Sequence, residues 1–408
     1  MSDWQEVKLR ECISTLKGFA FKSKWYQPDG IPIVRVSDFT DNSISVDDIE
    51  YIPHDLAQEH SRYLLKTKDV IVQTVGSWQH NPVSIVGKVV NVPSNLNGAL
   101  LNQNAVKIIP NKTIDNNFLY YRLKDEHFKL HNLGCAQGAA NQASITLSSI
   151  GSFRFNLPPF PTQQKIAKIL SNYDDLIENN LKRIKLLEES ARLTYEEWFL
   201  RFRIDGKKLD IDPDTGLPFG WEKVKLKSFC ILTMGQSPKS KFYNQTCEGL
   251  PFHQGVTNYG FRFPSNTTWS TEGSRISEEG DILFSVRAPV GRLNVSIEKI
   301  ILGRGLASIR QINDLNSFLF YQLQNIFFED NLMGSGAIFD SVTKRDVEDI
   351  ELIYSKNISE KFNTLTSTID NEIKNLTNQN KFLKEARDIL LPRLMTGMID
   401  TNDMSIAV

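Results

Sequence analysis

No apolar run in this sequence of 408 residues approaches the roughly 18 residues that a bilayer-spanning helix needs. Its opening stretch, MSDWQEV, has neither the basic nor the apolar region of a secretory signal, so a cytoplasmic protein is the expectation. Cysteine is scarce. Cys12, Cys135, Cys230 and Cys247 stand apart without a CxxC pair, which argues against both a disulfide framework and a zinc site of familiar spacing. Net charge is also missing, with 47 basic against 48 acidic residues and a balance of −1. That excludes a protein that coats nucleic acid through bulk positive charge, while leaving room for a reader whose basic groups are local. A hydrophobic share of 40% with 23% charged residues fits ordinary globular domains, and the length allows two or three of them.

What is present is repetition. WQEVKLR at Trp4–Arg10 returns as WEKVKLK at Trp221–Lys227, and at the same offset Gly18 meets Gly235 and KSKWY (Lys22–Tyr26) meets KSKFY (Lys239–Tyr243). Further on, DVIVQTV (Asp69–Val75) matches DILFSVR (Asp281–Arg287), both reading as buried strands that open into a loop. FLYY (Phe118–Tyr121) matches FLFY (Phe318–Tyr321), and SIT (Ser144–Thr146) matches SVT (Ser341–Thr343). Matches in one order over such a distance mark a tandem duplication, with a period too long for a solenoid. Each copy is therefore a whole domain plus an appendage.

The appendage is a helix. From Thr162 to Arg201 the chain has neither Pro nor Gly, and apolar residues recur at Ile166, Leu170, Tyr173, Ile177, Leu181, Ile184 and Leu187. Steps of three and four place them on one stripe of a continuous helix roughly 60 Å long. The second copy carries Phe362, Leu365, Ile369, Ile373 and Leu376 on a similar stripe, interrupted by the polar run Asn378–Asn380. At an offset of 192, Leu170 falls on Phe362, Ile177 on Ile369 and Leu181 on Ile373. Both stripes need burial, and the simplest arrangement packs the two helices on each other. The fold class expected is α+β: two similar globular domains joined by two long, antiparallel, coiled-coil-like helices with pseudo-twofold symmetry. A reader of that form suits two half-sites on duplex DNA, and since the halves differ, the recognised site is split and asymmetric.

At this point the chain resembles the specificity subunits of type I restriction–modification systems over almost its whole length. The resemblance rests on LPPFPTQQKIAKILS (Leu157–Ser171), YEEWFLRFR (Tyr195–Arg203), GLPFGWEKVKL (Gly216–Leu226) and LLPRLMTGMID (Leu390–Asp400). It implies a first target recognition domain over 1–161, a central spacer helix over 162–204, a linker over 205–217, a second recognition domain over 218–357 and a distal helix with its tail over 358–408. It also implies a non-catalytic reader of double-stranded DNA, in a bacterial or archaeal cytoplasm, that directs adenine methylation or cleavage. The implied partners are two methylation subunits and endonuclease subunits, with no membrane. S-adenosylmethionine, Mg2+ and ATP are implied in those partners, and no cofactor is implied on this chain. Two other classes are a DNA methyltransferase in its own right and a coiled-coil scaffold whose end domains bind protein or glycan.

Several motifs argue against chemistry by this chain. NLPPF (Asn156–Phe160) nearly spells an adenine-holding Asn-Pro-Pro-aromatic loop, but Leu157 displaces the Asn. GSGAIFD (Gly334–Asp340) follows a helical stretch where a cofactor loop would follow a buried strand. His127 and His131 lie four apart without the HExxH pattern, and a solvated helix face is their ordinary explanation. No catalytic or metal-binding residue is assigned. Base reading instead needs Arg or Lys for guanine and Asn or Gln for adenine, presented on loops. The candidates are Ser77, Trp78, Gln79, His80 and Asn81, opposite Arg287 and Arg292; Asn102, Gln103 and Asn104, opposite Arg304; and Asn141 and Gln142. Loops are polar for turn-making reasons too. Lys22, Lys24, Lys239 and Lys241, at matching positions, are candidates for phosphate contact, and Arg35 and His253 lie at the next strand end.

Overall fold

A computed structural model describes residues 4–41, 43–78, 85–138, 142–327 and 341–401. The candidates Gln79, His80, Asn81 and Asn141, and all of GSGAIFD, lie outside the described residues. Chain contacts divide the protein into two compact units, Met1–Asn179 with Gln379–Val408, and Asn180–Asn378. The division passes through both long helices, so each unit owns one globular domain and a piece of each helix.

The first unit is built on a four-stranded antiparallel sheet in the order Ile13–Lys17, Ala105–Pro110, Val70–Gln73, Val89–Asn91. Val70–Gln73 is buried at all four residues, as a continuous apolar run predicts. A second sheet sets Ile31–Val34 between Glu50–Ile52 and Leu100–Leu101, the last pair parallel. The opening echo forms an edge strand, Gln5–Lys8, that pairs with Arg154–Leu157 just before the long helix. Asp115 caps the helix Asn116–Lys124, accepting from the N–H groups of Asn117 and Phe118, and this helix drives Phe118, Leu119 and Leu123 into the core.

The second unit repeats the plan. Its four-stranded sheet runs Cys230–Met234, Leu306–Gln311, Ile282–Ser285, Leu293–Val295. Leu250–His253 and Ile300–Leu302 are the parallel pair, and the second echo, Glu222–Lys225, pairs with Glu351–Tyr354. The helix Asn316–Phe327 again supplies the core, through Phe318, Leu319 and Leu323.

The long helices span Phe160–Tyr195 and Lys356–Met395. In the first unit, Ile166 and Leu170 share a core with Leu394 and Met395, and Asp174 binds Arg387 at 2.5 Å. In the second, Ile184 packs with Ile373 and Leu376, Arg183 binds Glu372 at 2.8 Å, and Tyr195 meets Phe362. Within each unit rising numbers on one helix meet falling numbers on the other, so the segments pack antiparallel. After Tyr195 the helix widens into a π turn over Glu196–Leu200, which delivers Trp198 and Phe199 to the second unit's aromatic core.

Two details of the stripe differ from expectation. Leu181 and Leu365 are 52% and 45% exposed, while Leu170, Ile177, Ile184, Phe362, Ile373 and Leu376 are buried and Tyr173 and Ile369 are partly buried against cores. The helices also correspond at an offset of 196, from Phe160 to Lys356, rather than 192. The matching FLYY and FLFY tyrosines fix this. Tyr121 Oη donates to Asp174 at 2.6 Å, and Tyr321 Oη donates to Asp370 at 3.0 Å. A slip of four residues, close to one turn, keeps the stripe on nearly the same face, so periodicity alone cannot choose between the two registers.

Around each tyrosine–aspartate pair lies a buried ion cluster of different origin. In the second unit Arg262, from the loop between Tyr259 and Pro264, reaches the long helices. Its guanidinium is 3% exposed, bonds the Asp370 carboxylate, donates to Tyr321 Oη at 3.3 Å, lies 3.7 Å from the Glu188 carboxylate and 3.4 Å over the Phe320 ring. In the first unit the corresponding loop, between Phe39 and Ile44, carries Asp41, and the cation is Arg387 of the helix itself. Lys124 donates to the Asp41 carbonyl at 2.6 Å, and burial next to Arg387 pushes its ammonium down to about 8.

Candidate nucleic-acid interface

Three loops separated in sequence converge in the first unit. Val75–Gly76 pairs antiparallel with Ala143–Ser144, so the loop after the buried strand meets the segment after Gln142. Thr74 N–H donates to the Asn104 carbonyl at 2.7 Å, tying both to the Asn102–Asn104 turn. Gln103 N–H in turn donates to Phe19 O at 2.8 Å, which brings in the segment leading to Lys22 and Lys24.

The second unit repeats three ties of the first: Val286 N–H donates to Gly305 O at 2.9 Å as Thr74 does to Asn104, Val342 N–H to Val286 O at 2.9 Å as Ile145 does to Thr74, and Gln236 N–H to Leu302 O at 2.9 Å as Phe19 does to Leu101. It differs at Arg304, whose N–H donates to Ser237 Oγ at 3.2 Å where Gln103 N–H donates to Phe19 O. The repeated glycines belong to this junction. A Cβ on Gly18 would sit 1.9 Å from Asn102 O, and one on Gly235 would sit 2.1 Å from Gly303 O. Both positions need glycine because another backbone crosses there.

Within this frame the candidates separate by what their side chains already do. Asn102 is 8% exposed, and its Oδ1 accepts from Gln103 N–H at 2.7 Å, so it builds the turn. Asn104 adopts φ 69°, the left-handed conformation that Asn tolerates. Ser77 is buried and Trp78 packs against the core, whereas Gln103 and Gln142 are exposed. Lys22, Lys24, Lys239 and Lys241 are all exposed; Lys22 Nζ lies 5.4 Å from the Trp25 ring centre and Lys241 Nζ 4.7 Å from that of Phe242. Each of these two ammonium groups lies over its neighbouring ring, a cation–π contact that holds it in place while the lysine stays exposed.

Arg35 and His253 do not fit a surface role. Arg35 is spent on Asp38 and Glu50, both at 3.1 Å, and on the Asp48 carbonyl at 2.6 Å. His253 is 1% exposed, with Nε2 at 2.8 Å from Asn266 Oδ1, and burial lowers its pKa. Both residues position the strand end rather than face outward. In the second unit the residues just after His253 were not legible from composition: Gln254 and Thr257 line a cleft of about 410 Å³ with Ser285, Arg287, Ala288 and Arg304. The available signal was their place directly after the strand that pairs with Ile300–Leu302.

Arg287, Arg292 and Arg304 are exposed, and Arg292 N–H donates to Ser285 Oγ at 2.8 Å to close its hairpin. No described side chain pairs with the guanidinium of Arg287 or Arg304. Among the described residues no His, Cys, Asp and Glu cluster could hold a metal ion, and no helix is long and apolar enough to cross a membrane. His127 lies 3.1 Å from Asp125, and His131 Nε2 lies 2.9 Å from Ser149 O, so this pair is engaged within the fold.

Comparison with known proteins agrees with the geometry. Residues 1–189 and 218–380 match the family model described as the type I restriction modification DNA specificity domain. A putative type I restriction enzyme MjaX specificity subunit of Methanocaldococcus jannaschii is 30% identical over 97% of this chain and 94% of its own length. The MjaIX specificity subunit of the same archaeon is 25% identical over 74% of this chain and 73% of its own. In fold, the crystal structure of a type I restriction–modification S subunit from M. genitalium aligns with a TM-score of 0.60 at 15% identity, covering 99% of this chain and 97% of that one. The chain belongs to the type I restriction–modification specificity subunits, the family that recognises DNA without itself catalysing a reaction.

Proposed function

We propose that each unit reads one half of a split, asymmetric DNA site and that the chain thereby directs adenine methylation, or cleavage, by partner subunits. The observation that carries this reading is the repeated junction: one hydrogen-bonded scaffold, present twice, that gathers exposed polar and basic side chains of different identity. A duplicated scaffold with divergent loops suits two different half-sites. Lys22 and Lys24, with Lys239 and Lys241, would hold phosphates and set register; Gln103, Gln142, Arg287, Arg292 and Arg304 would face base edges.

The partners in this reading are two methylation subunits, seated along the long helices, and endonuclease subunits that join them. S-adenosylmethionine belongs to the former, and Mg2+ and ATP to the latter. The setting is the cytoplasm of a bacterium or archaeon. Mapping methylated adenines genome-wide in cells expressing this chain with its methylation subunit, and in cells expressing either alone, tests the proposal. A split motif that needs both proteins is the expected result. Methylation by this chain alone, or no motif with both, would overturn it.

A further inference from the structure

The two junctions differ sharply in charge at equivalent positions. Arg287 forms a backbone bridge with Ser341 where Val75 pairs with Ser144. Arg304 follows Gly303, whose N–H donates to His253 O at 2.8 Å; Gln103 follows Asn102, whose N–H donates to Val34 O at 3.0 Å. Val75 and Gln103 of the first unit thus stand where the second unit has two arginines. Both arginines border one cleft of about 410 Å³. Matching bonds, Thr74 N–H to Asn104 O and Val286 N–H to Gly305 O, tie the two junctions, so the charge difference lies in side chains carried on a shared frame.

A guanidinium presents paired N–H donors that match the O6 and N7 acceptors of guanine, whereas a neutral amide suits adenine. An arginine meant for fold stability finds a carboxylate, as Arg35, Arg262 and Arg310 do here. Among the described residues no carboxylate pairs with Arg287 or Arg304, and both are exposed and line the cleft. Gln254, which is exposed, adds a neutral polar group to the same wall.

We infer that Arg287 and Arg304 are specificity-determining residues through which the second unit reads guanine, while the first unit, with Val75 and Gln103 at those places, reads a half-site without these guanine contacts. The inference rests on the DNA-reading function proposed above. Because both arginines are exposed and pair with no described carboxylate, substituting them should leave the fold intact, which an unchanged melting temperature verifies.

The test maps adenine methylation by the assembled complex carrying Arg304→Gln, Arg287→Gln, Arg304→Lys or Gln103→Ala. In one half of the motif the wild type should require guanine, on either strand, at one or two positions. Arg304→Gln should cut methylation of sites with that guanine by about 5- to 150-fold and relax the requirement there, leaving the other half unchanged. Arg304→Lys keeps the charge but loses the fork, so it should restore only part of the discrimination. Gln103→Ala should alter the opposite half alone.

A uniform loss at all sites, with the motif unchanged and full rescue by lysine, would make Arg304 a phosphate contact and overturn the inference. So would a motif in which neither half needs guanine. A wild-type complex that yields no split motif defeats the underlying function instead, and is recognised before any variant is made.

Discussion

Arg262→Met isolates the charge of the second unit's buried cluster, because methionine keeps an apolar stem against Phe320 while removing the guanidinium. In the native protein that group is 3% exposed and faces Asp370 and Glu188, themselves only 21% and 18% exposed. Without it, Asp370 retains the Tyr321 hydroxyl as a donor but loses its cation, and Glu188 loses the guanidinium that favours its ionised form. Removing one partner of a buried pair costs about 3–5 kcal/mol. For a unit of this size each kcal/mol lowers the melting temperature by roughly 2–4 °C, so calorimetry should show a fall of roughly 6–20 °C. Adding Asp370→Asn removes the stranded carboxylate and should recover a good part of the loss. A fall below about 2 °C, or further destabilisation on adding Asp370→Asn, would refute the view that this ion pair pins the loop to the helices.

Glu188 gives a pH signature: burial raises its carboxyl to about 7 from 4.5, Arg262 opposing and Asp370 assisting. A raised folded pKa means the protonated native form is favoured, so this stability is full below pH 4.5 and lost as pH climbs through about 7, by roughly 3 kcal/mol in all. Glu188→Gln should flatten that decline in melting temperature between pH 5 and 8. Lys239→Ala with Lys241→Ala should weaken binding to every duplex and reduce the slope of log affinity against log salt by about 1–2, with the motif unchanged. Gly18→Ala forces a Cβ onto the Asn102 carbonyl and should cost about 1–3 kcal/mol, with loss of recognition of one half-site while the other persists in binding assays.

Much of this was legible because the duplication supplied an internal comparison. The echo at Trp4 and Trp221 located equivalent edge strands, and the stretch free of Pro and Gly located a helix that begins at Phe160, two residues before Thr162. The correspondence of Asn102–Asn104 with Gly303–Gly305 holds in the bonds from Thr74 and Val286, though the two segments share no residue type. Helix register was not legible, because shifts of one turn preserve an apolar stripe; it took Tyr121–Asp174 and Tyr321–Asp370 to fix it. Arg35 and His253 looked like surface groups since sequence gives no account of which acids and amides fold back on them. Arg262 drew no notice for the opposite reason: it sits in a Gly-Phe-Arg-Phe loop that reads as solvent-exposed, yet it inserts between a domain and its helices.

The central claim, that one chain carries two independent readers, is tested most directly by a chimera. Residues 221–354 are replaced by the matching segment of the archaeal relative, and methylated adenines are mapped with the original methylation subunit present. The account predicts that one half of the split motif changes and the other half stays the same, letter for letter. A motif that changes in both halves, or in neither, would contradict it.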